Sequence, residues 1–497
     1  MQAYELIIHG GRVMDPETGF DVIADVAITA GRIAAIGTNL GTAAHTIDAT
    51  GLVVAPGFID LHAHGQSIPA DRMQAFDGVT TALELELGVF PVARWYDEQA
   101  HAGRLLNYGA STGWVFARIA AMTAQQVDPT IEGMGQATRD PRWVNEVANS
   151  SEMADILDRV RTGLGQGGLG IGFPNAYAPG TGVKEMSELC SLAADANAPT
   201  FTHVAYMSNV DPRSSVEAYT RLIGYAGSTG AHMHICHFNS TSLTDVERAA
   251  QLVQTAQRQG LKVTVEAYPY GTGSTVVGAN FFSDPDFPIR FGTGYQAIEM
   301  VNTGHRFADR ADVLAAQAED PGALVLIHFL DVEVNARHRD LLDVSVLFPG
   351  GAIASDAVPW TRDGVTYNGD AWPLPDDAVS HPRSSGTFTR FLSRWVRERQ
   401  AVSLMEGLRK CTLIPAQILQ DSTPGIRKKG RVQVGCDADL VVFDYEALAD
   451  RADFKAMNRV ADGMRHVLVN GQPIITAGVL DLAARPGRPV RRPVTPA

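Results

Sequence analysis

Cysteine is scarce: the 497 residues hold four, Cys190, Cys236, Cys411 and Cys436, widely scattered and without a CxxC pair. That excludes a dense disulfide framework and points to a reducing compartment. A basic surplus is also missing. The net charge of −14 at pH 7 leaves nothing to neutralise phosphates, which excludes a nucleic-acid partner. No apolar run approaches the ~20 residues of a membrane-spanning helix. The opening MQAYELIIHGG has no basic segment leading into a long apolar one, so no secretory signal is read. The expectation is a cytoplasmic protein without a membrane partner, with self-association left open. Two common motifs are absent in substance. Gly165–Gly170 spells G-x-G-x-x-G but follows a helix-like segment and opens no helix, so the dinucleotide reading fails. No G-x-S-x-G elbow occurs, which disfavours a serine hydrolase of that type.

What the chain does have is the stretch GLVVAPGFIDLHAHG at 51–65. It is an apolar, β-branched run broken by Pro56-Gly57 and ending in His62-Ala63-His64. Residues two apart on a strand share a face, so both imidazoles project together from its C-terminal end. Apolar content of 45% with 19% charged residues describes an ordinary globular protein, long enough for a barrel-sized domain and a smaller one.

Residues 1–55 read as short strands with tight turns, YELIIHGGRVMD, then DVAITAGRIAAIG, then HTIDATGLVVAPG. The pattern returns over 425–480, in GRVQVGCDADLVVFD and MRHVLVNGQPIITAGVL, where Asn470-Gly471 is a two-residue hairpin turn. These two segments are expected to form one small β-sandwich. Between them, 56–424 alternate strand-like and helix-like runs, the pattern of an α/β domain. Strand candidates are VTTALELEL, GLGIGF, PTFTHVAY, HMHICHF, LKVTVEAYPY, ALVLIHFL and GAIASD. With the strand before His62 they approach the eight of a (β/α)8 TIM barrel. Helical periodicity separates several, as in SSEMADILDRVRTGL and SLTDVERAAQLVQTAQRQG. The stretch near 271–319 reads as an insertion of the kind that serves as a lid, and 481–497, rich in Pro and Arg, as an extended tail.

Titratable residues recur at the C-terminal ends of these strands: His62, His64, Glu84, Glu86, His203, His237 and Asp356. A barrel builds its active site there. Alternation with leucines puts Glu84 and Glu86 on one face, and a buried strand does not carry two inward acids without a cation. The opposite arrangement, leucines inward and glutamates solvated, would make this an edge strand. His232 and His234 share the same i, i+2 spacing and compete with His237. Asp356 in SDAVPW can hold a metal and take a proton from water.

These motifs resemble the amidohydrolase superfamily: HAH, an acid after the second strand, two further histidines, then SD after the last strand. Over nearly the whole chain the similarity narrows to the D-aminoacylase (N-acyl-D-amino-acid deacylase) group. It rests on GLVVAPGFIDLHAHG, GVTT, GLGIGFPNAYAPG, FTHVAYMSN, ICHFN, VEAYPYGTGST, SD, HPRSSGTF and KKGRVQVGCDADLVVFD. The resemblance implies a metal-bearing (β/α)8 barrel with a small β-sandwich from both termini, and one or two zinc ions per chain. It makes His62 and His64 the first metal pair and His203 and His237 the second. Asp356 becomes the catalytic aspartate, and Tyr268 the tyrosine that polarises the substrate carbonyl. Arg383 and Tyr177 become holders of a substrate carboxylate. The group carries a metal-ligating cysteine after GVTT where this chain has Glu84-Leu85-Glu86, so one glutamate is expected to substitute, and a bridging carboxylate favours two metals. The group also has a lysine where this chain has Asn239, a position expected to face substrate. The activity so implied is hydrolysis of a C–N amide by metal-activated water, most naturally on an N-acyl-D-amino acid. A cyclic amide or imide, or a peptide-like amide, suits the same machinery. A small-molecule-binding barrel without catalysis is the contrasting class.

Overall fold

The computed structural model describes residues 4–495. Eight parallel strands form the central sheet: β1 (Phe58–Asp60), β2 (Val79–Val89), β3 (Asn107–Gly113), β4 (Ile171–Pro174), β5 (Pro199–His203), β6 (His232–Ile235), β7 (Val263–Ala267) and β8 (Ala352–Ile353). Each pairs with the next of its neighbours in order, except that β8 joins β7 across a long intervening segment. The ring closes at its C-terminal end, where Ala63 bridges Ala357 and the His64 amide donates to the Ala357 carbonyl at 2.8 Å. Asp60 reinforces that seam by accepting from the Ser355 amide at 3.0 Å. Strands of this ring are buried on both faces because helices cover the outside, which is why they read as apolar runs. Gly57 is dictated by contact: a Cβ there would stand 2.2 Å from the Thr80 side chain.

The helical stretches expected at 150–164 and 242–260 are present as Ser150–Gly165 and Val246–Arg258. Asn149 opens the first with a reciprocal capping box to Glu152.

Strand membership differs from the sequence reading in two places. The run around Leu324–His328 leaves the barrel and pairs antiparallel with Thr272–Val276 and Ile298–Met300 in a separate three-stranded sheet. An apolar run cannot by itself distinguish a barrel strand from a covered strand of another sheet. The vacated place belongs to β3, NYGASTG, whose small polar residues carry no strand signature. Small side chains are required there. A Cβ on Gly109 would meet the Val490 carbonyl oxygen at 2.5 Å and the Leu169 side chain at 2.8 Å.

A second, nine-stranded sheet draws on both ends of the chain, and its seam is Val53–Pro56 against Leu440–Phe443 in antiparallel register. Ile8, Val13, Val26, Val54, Leu440 and Leu468 form its buried core. The Asn470-Gly471 turn is as expected, with φ of 50° and 80° between the paired residues Val469 and Gln472.

The final residues cross the base of the barrel. Tyr108 in β3 donates to the Arg488 carbonyl at 3.2 Å and accepts from the Val490 amide at 2.7 Å. The Val490 side chain joins the buried cluster of Ile59, Leu83, Leu169 and Phe201. The tail thus satisfies backbone groups of β3 below the point where β4 begins to pair with it.

Candidate metal centre

All four histidines expected at strand ends meet at the C-terminal mouth. His62 and His64 follow β1 with their Nε2 atoms 3.1 Å apart. His203 ends β5, and His237 follows β6, its ring centroid 4.6 Å from that of His203. Glu86 lies between the pairs. Its Oε2 is 3.5 Å from Nε2 of both His62 and His64, while Oε1 is 3.1 Å from His203 Nδ1 and 3.6 Å from His237 Nε2. Asp356 Oδ1 approaches from the far side, 3.5 Å from both His62 and His64 Nε2. His237 and Asp356 have φ of 33° and 53°, left-handed values that are unusual for these residues and typical of functional loops.

Glu84 occupies a different place from Glu86. Both of its oxygens lie 3.0 Å from His64 Nδ1, on the side of the ring facing away from the cluster. Both glutamates are buried, so the solvated edge-strand arrangement does not occur. Gly88, at φ 65°, ends the run with a backbone turn that a side chain would block, since its Cβ would stand 2.7 Å from the Gly113 amide nitrogen.

Three overlapping groups have ligand atoms close enough for one ion: His62, Glu86 and His237; His62, His64 and Asp356; and His62, Cys236 and Glu266. The electrostatics fit a cation. Burial alone would lower His64, yet Glu84 and Asp356 outweigh it and raise its pKa to about 10. Burial likewise opposes ionisation of Glu86, but hydrogen bonds from His203, His237 and His62 hold it well below the ordinary range. Burial lowers His203, with Glu86 opposing and His237 adding to the fall. Surroundings negative enough to stabilise buried imidazoliums also stabilise a divalent ion. His237 Nδ1 is buried with no partner among the described residues, a donor atom left over for a ligand.

Beside this cluster, Tyr268 and Arg383 stack, the guanidinium carbon 4.7 Å from the ring centroid. Arg383 Nη1 lies 3.0 Å from Asp356 Oδ2, and Nη2 donates to the Ser274 carbonyl at 3.2 Å. The Tyr268 hydroxyl, Ser274 Oγ and Arg383 Nε are all buried and without hydrogen-bond partners among the described residues. Burial pushes the Tyr268 pKa up to about 12, so the phenol keeps its proton and can donate. Tyr177 shares a 2.6 Å hydrogen bond with Thr275 and sets its ring edgewise 5.1 Å from His203. Asn239 takes a supporting place. Its amide donates to the carbonyls of Tyr268 and Tyr270, fixing the loop that carries Tyr268. His232 and His234 lie below the cluster on β6 and do not join it.

A cleft of about 610 Å³ opens above these groups. Its outer wall is apolar, with Ile131, Met134, Met207, Phe281, Phe291 and Ile327. The sheet holding Leu324–His328 supplies part of that wall, a contribution the sequence did not reveal.

The model of the amidohydrolase family matches residues 45–250 and 238–475. The chain therefore belongs to the amidohydrolase family, as a metal-dependent hydrolase of C–N amide bonds. It is 28% identical to an N-acyl-D-glutamate deacylase of Alcaligenes xylosoxydans xylosoxydans, over 98% of this chain and 96% of that one. It is 26% identical to a D-aminoacylase of the same organism, over 95% of each. Among solved structures, the N-acyl-D-glutamate deacylase from Bordetella bronchiseptica, complexed with zinc and a phosphonate inhibitor, superposes with a TM-score of 0.78 at 23% identity, covering 99% and 100% of the two chains. A D-hydantoinase superposes with a TM-score of 0.59 at 18% identity, covering 99% and 100%. Among the described residues no helix is long and apolar enough to cross a membrane.

Proposed function

We propose that this chain is a zinc-dependent deacylase of N-acyl amino acids, with N-acyl-D-amino acids as the first substrates to test. The observation that carries the reading is the position of Glu86, one oxygen toward the 62/64 pair and the other toward the 203/237 pair. His62, His64, Glu86, His203, His237 and Asp356 would hold one or two zinc ions, with Glu86 set between the two histidine pairs. Bound zinc lowers the pKa of a water toward neutrality and polarises the acyl carbonyl. Asp356 accepts the proton of the attacking water and returns it to the leaving nitrogen. The free Tyr268 hydroxyl donates to the carbonyl oxygen as negative charge develops. Arg383 and Ser274, both with unused buried donors, grip the substrate carboxylate, and Tyr177 closes the wall beside them. The apolar outer cleft receives a large acyl group or side chain. Four buried free thiols agree with work in a reducing compartment, the cytoplasm.

Relatives matched over 94–96% of their length are named N-acyl-D-glutamate deacylase, D-aminoacylase and N-acyl-D-aspartate deacylase, which supports the choice of substrate. The test is amino acid release from N-acetyl-D- and L-amino acids, run beside ring opening of hydantoins and lactams. Release from the D series that a chelator abolishes and zinc restores is expected. Ring opening with no amino acid release would sink the deacylase assignment.

A further inference from the structure

Beneath the centre, the barrel interior carries a line of polar side chains where such rings normally hold Val, Ile and Leu. His232 and His234 lie on one face of β6, and Thr264 and Glu266 on one face of β7, with His234 and Thr264 directly paired in register. The four connect without a break. His232 Nε2 is 2.8 Å from Thr264 Oγ1, which is 2.9 Å from His234 Nδ1. His234 Nε2 is 3.1 Å from one Glu266 oxygen, and the other Glu266 oxygen is 2.5 Å from His62 Nδ1. His234 and Glu266 are wholly buried, and the edge of Phe201 covers the His234 ring at 5.6 Å. At the far end His232 reaches a small recess on the opposite face of the barrel, beside Lys262 and Asp421.

Donors and acceptors admit one arrangement if the imidazoles are neutral. Ionised Glu266 only accepts, so both His62 Nδ1 and His234 Nε2 carry hydrogens. His234 Nδ1 must then accept, and the Thr264 hydroxyl supplies that hydrogen. Thr264 in turn accepts from His232 Nε2. The hydrogens of His232, Thr264 and His234 all point toward Glu266, the Nδ1 hydrogen of His62 meets Glu266 from the other side, and the result is a His62 whose Nε2 lone pair is bare and aimed at the cluster.

We propose that Glu266, His234, Thr264 and His232 form a positioning column that sets the tautomer and orientation of His62 for zinc. The proposal rests on the zinc reading of the centre. A carboxylate behind a ligating histidine raises its basicity and fixes its ring, and loss of such a partner costs 10–100-fold in metal affinity. Thr264 and His232 extend that support across the barrel, so a change near its base is felt at the metal.

The test is zinc affinity of the full-length protein, measured by competition with a chromophoric chelator and read without substrate. Glu266→Gln is expected to bind zinc about 10–100-fold more weakly. Its single amide oxygen can accept from only one of the two rings, so either His62 Nδ1 or His234 Nε2 meets an amide hydrogen in place of a lone pair. Thr264→Val is expected to weaken binding several-fold, while Thr264→Ser, which keeps the hydroxyl, restores it. If Glu266→Gln does not fold, the Thr264 pair decides. Affinity equal to wild type in Thr264→Val overturns the proposal, including when its unfolding temperature falls, because the column would then only pack the core. A wild-type chain that takes up no zinc defeats the hydrolase reading itself, and this proposal with it.

Discussion

Glu84 closes both carboxylate oxygens on Nδ1 of His64, each at 3.0 Å, and stands behind that ring, outside the groups whose ligand atoms lie close enough to share an ion. Two residues on, Glu86 lies between four imidazoles. The two glutamates should separate cleanly by elemental analysis. Glu86→Ala is expected to lose at least one zinc per chain. Glu84→Ala should keep wild-type stoichiometry at saturating zinc while affinity falls about 10–100-fold. Equal stoichiometry in both variants would remove Glu86 from the ligand set.

Asp356 and Tyr268 should divide along kcat. Asp356→Asn removes the proton carrier and is expected to lower kcat by about 10²–10⁴. Tyr268→Phe removes one donor to the developing oxyanion, and a loss of about 10²–10³ in kcat with little change in KM is expected. A Tyr268→Phe enzyme with raised KM and unchanged kcat would make the phenol a binding group only.

Arg383 should act through the carboxylate of the substrate. Arg383→Lys keeps a cation beside Asp356 but loses the planar fork. Its KM is expected to rise at least tenfold for an N-acyl-D-amino acid, with a smaller change for the matching amide that lacks the carboxylate. Equal changes for both compounds would assign Arg383 to Asp356 alone.

Lys410 gives the stability of the barrel a pH dependence. Its ammonium donates to the carbonyls of Phe348 and Gly351, and burial lowers its pKa to about 8 from an ordinary 10.5. Between those values the unfolded chain binds the proton and the folded chain does not, so stability rises with pH across that window. The difference corresponds to about 3 kcal/mol, fully felt below pH 8 as a cost of keeping the charge buried. Lys410→Met is expected to flatten the rise in unfolding free energy between pH 8 and 10, measured by denaturant titration. An unchanged slope would assign the rise to other groups.

Val490 should be worth more than a tail residue ordinarily is. Val490→Ser exposes the cluster of Ile59, Leu83 and Phe201 to a hydroxyl and is expected to cost about 2 kcal/mol. A thermal melt indistinguishable from wild type would show that the tail only rests on the base.

The site was legible because its chemistry is local in sequence. His62 and His64 sit two apart, and His203, His237 and Asp356 each end an apolar run, so face and depth followed from periodicity. Glu84 and Glu86 show where that reasoning stops. They share a parity, and only the turn at Gly88 and the placement of His64 set one behind the His64 ring and the other between the two histidine pairs. Asn239 shows the same limit, since the carbonyls its amide nitrogen holds lie 29 and 31 residues away in sequence. The column below His62 was visible only as two spare histidines. Its meaning depends on a lateral register between β6 and β7 that no single strand encodes. β3 escaped notice because tight packing against the tail selects Gly, Ala and Ser there, and those residues carry no strand pattern.

The residues that seal the floor of the ring follow all eight of its strands in the sequence. Until Arg488–Val490 emerge from the ribosome, the lower half of β3 has an open flank and the space under Phe201 is unfilled. The nascent chain therefore cannot finish its largest domain piecemeal, because the floor of the ring waits for residues made long after its last strand.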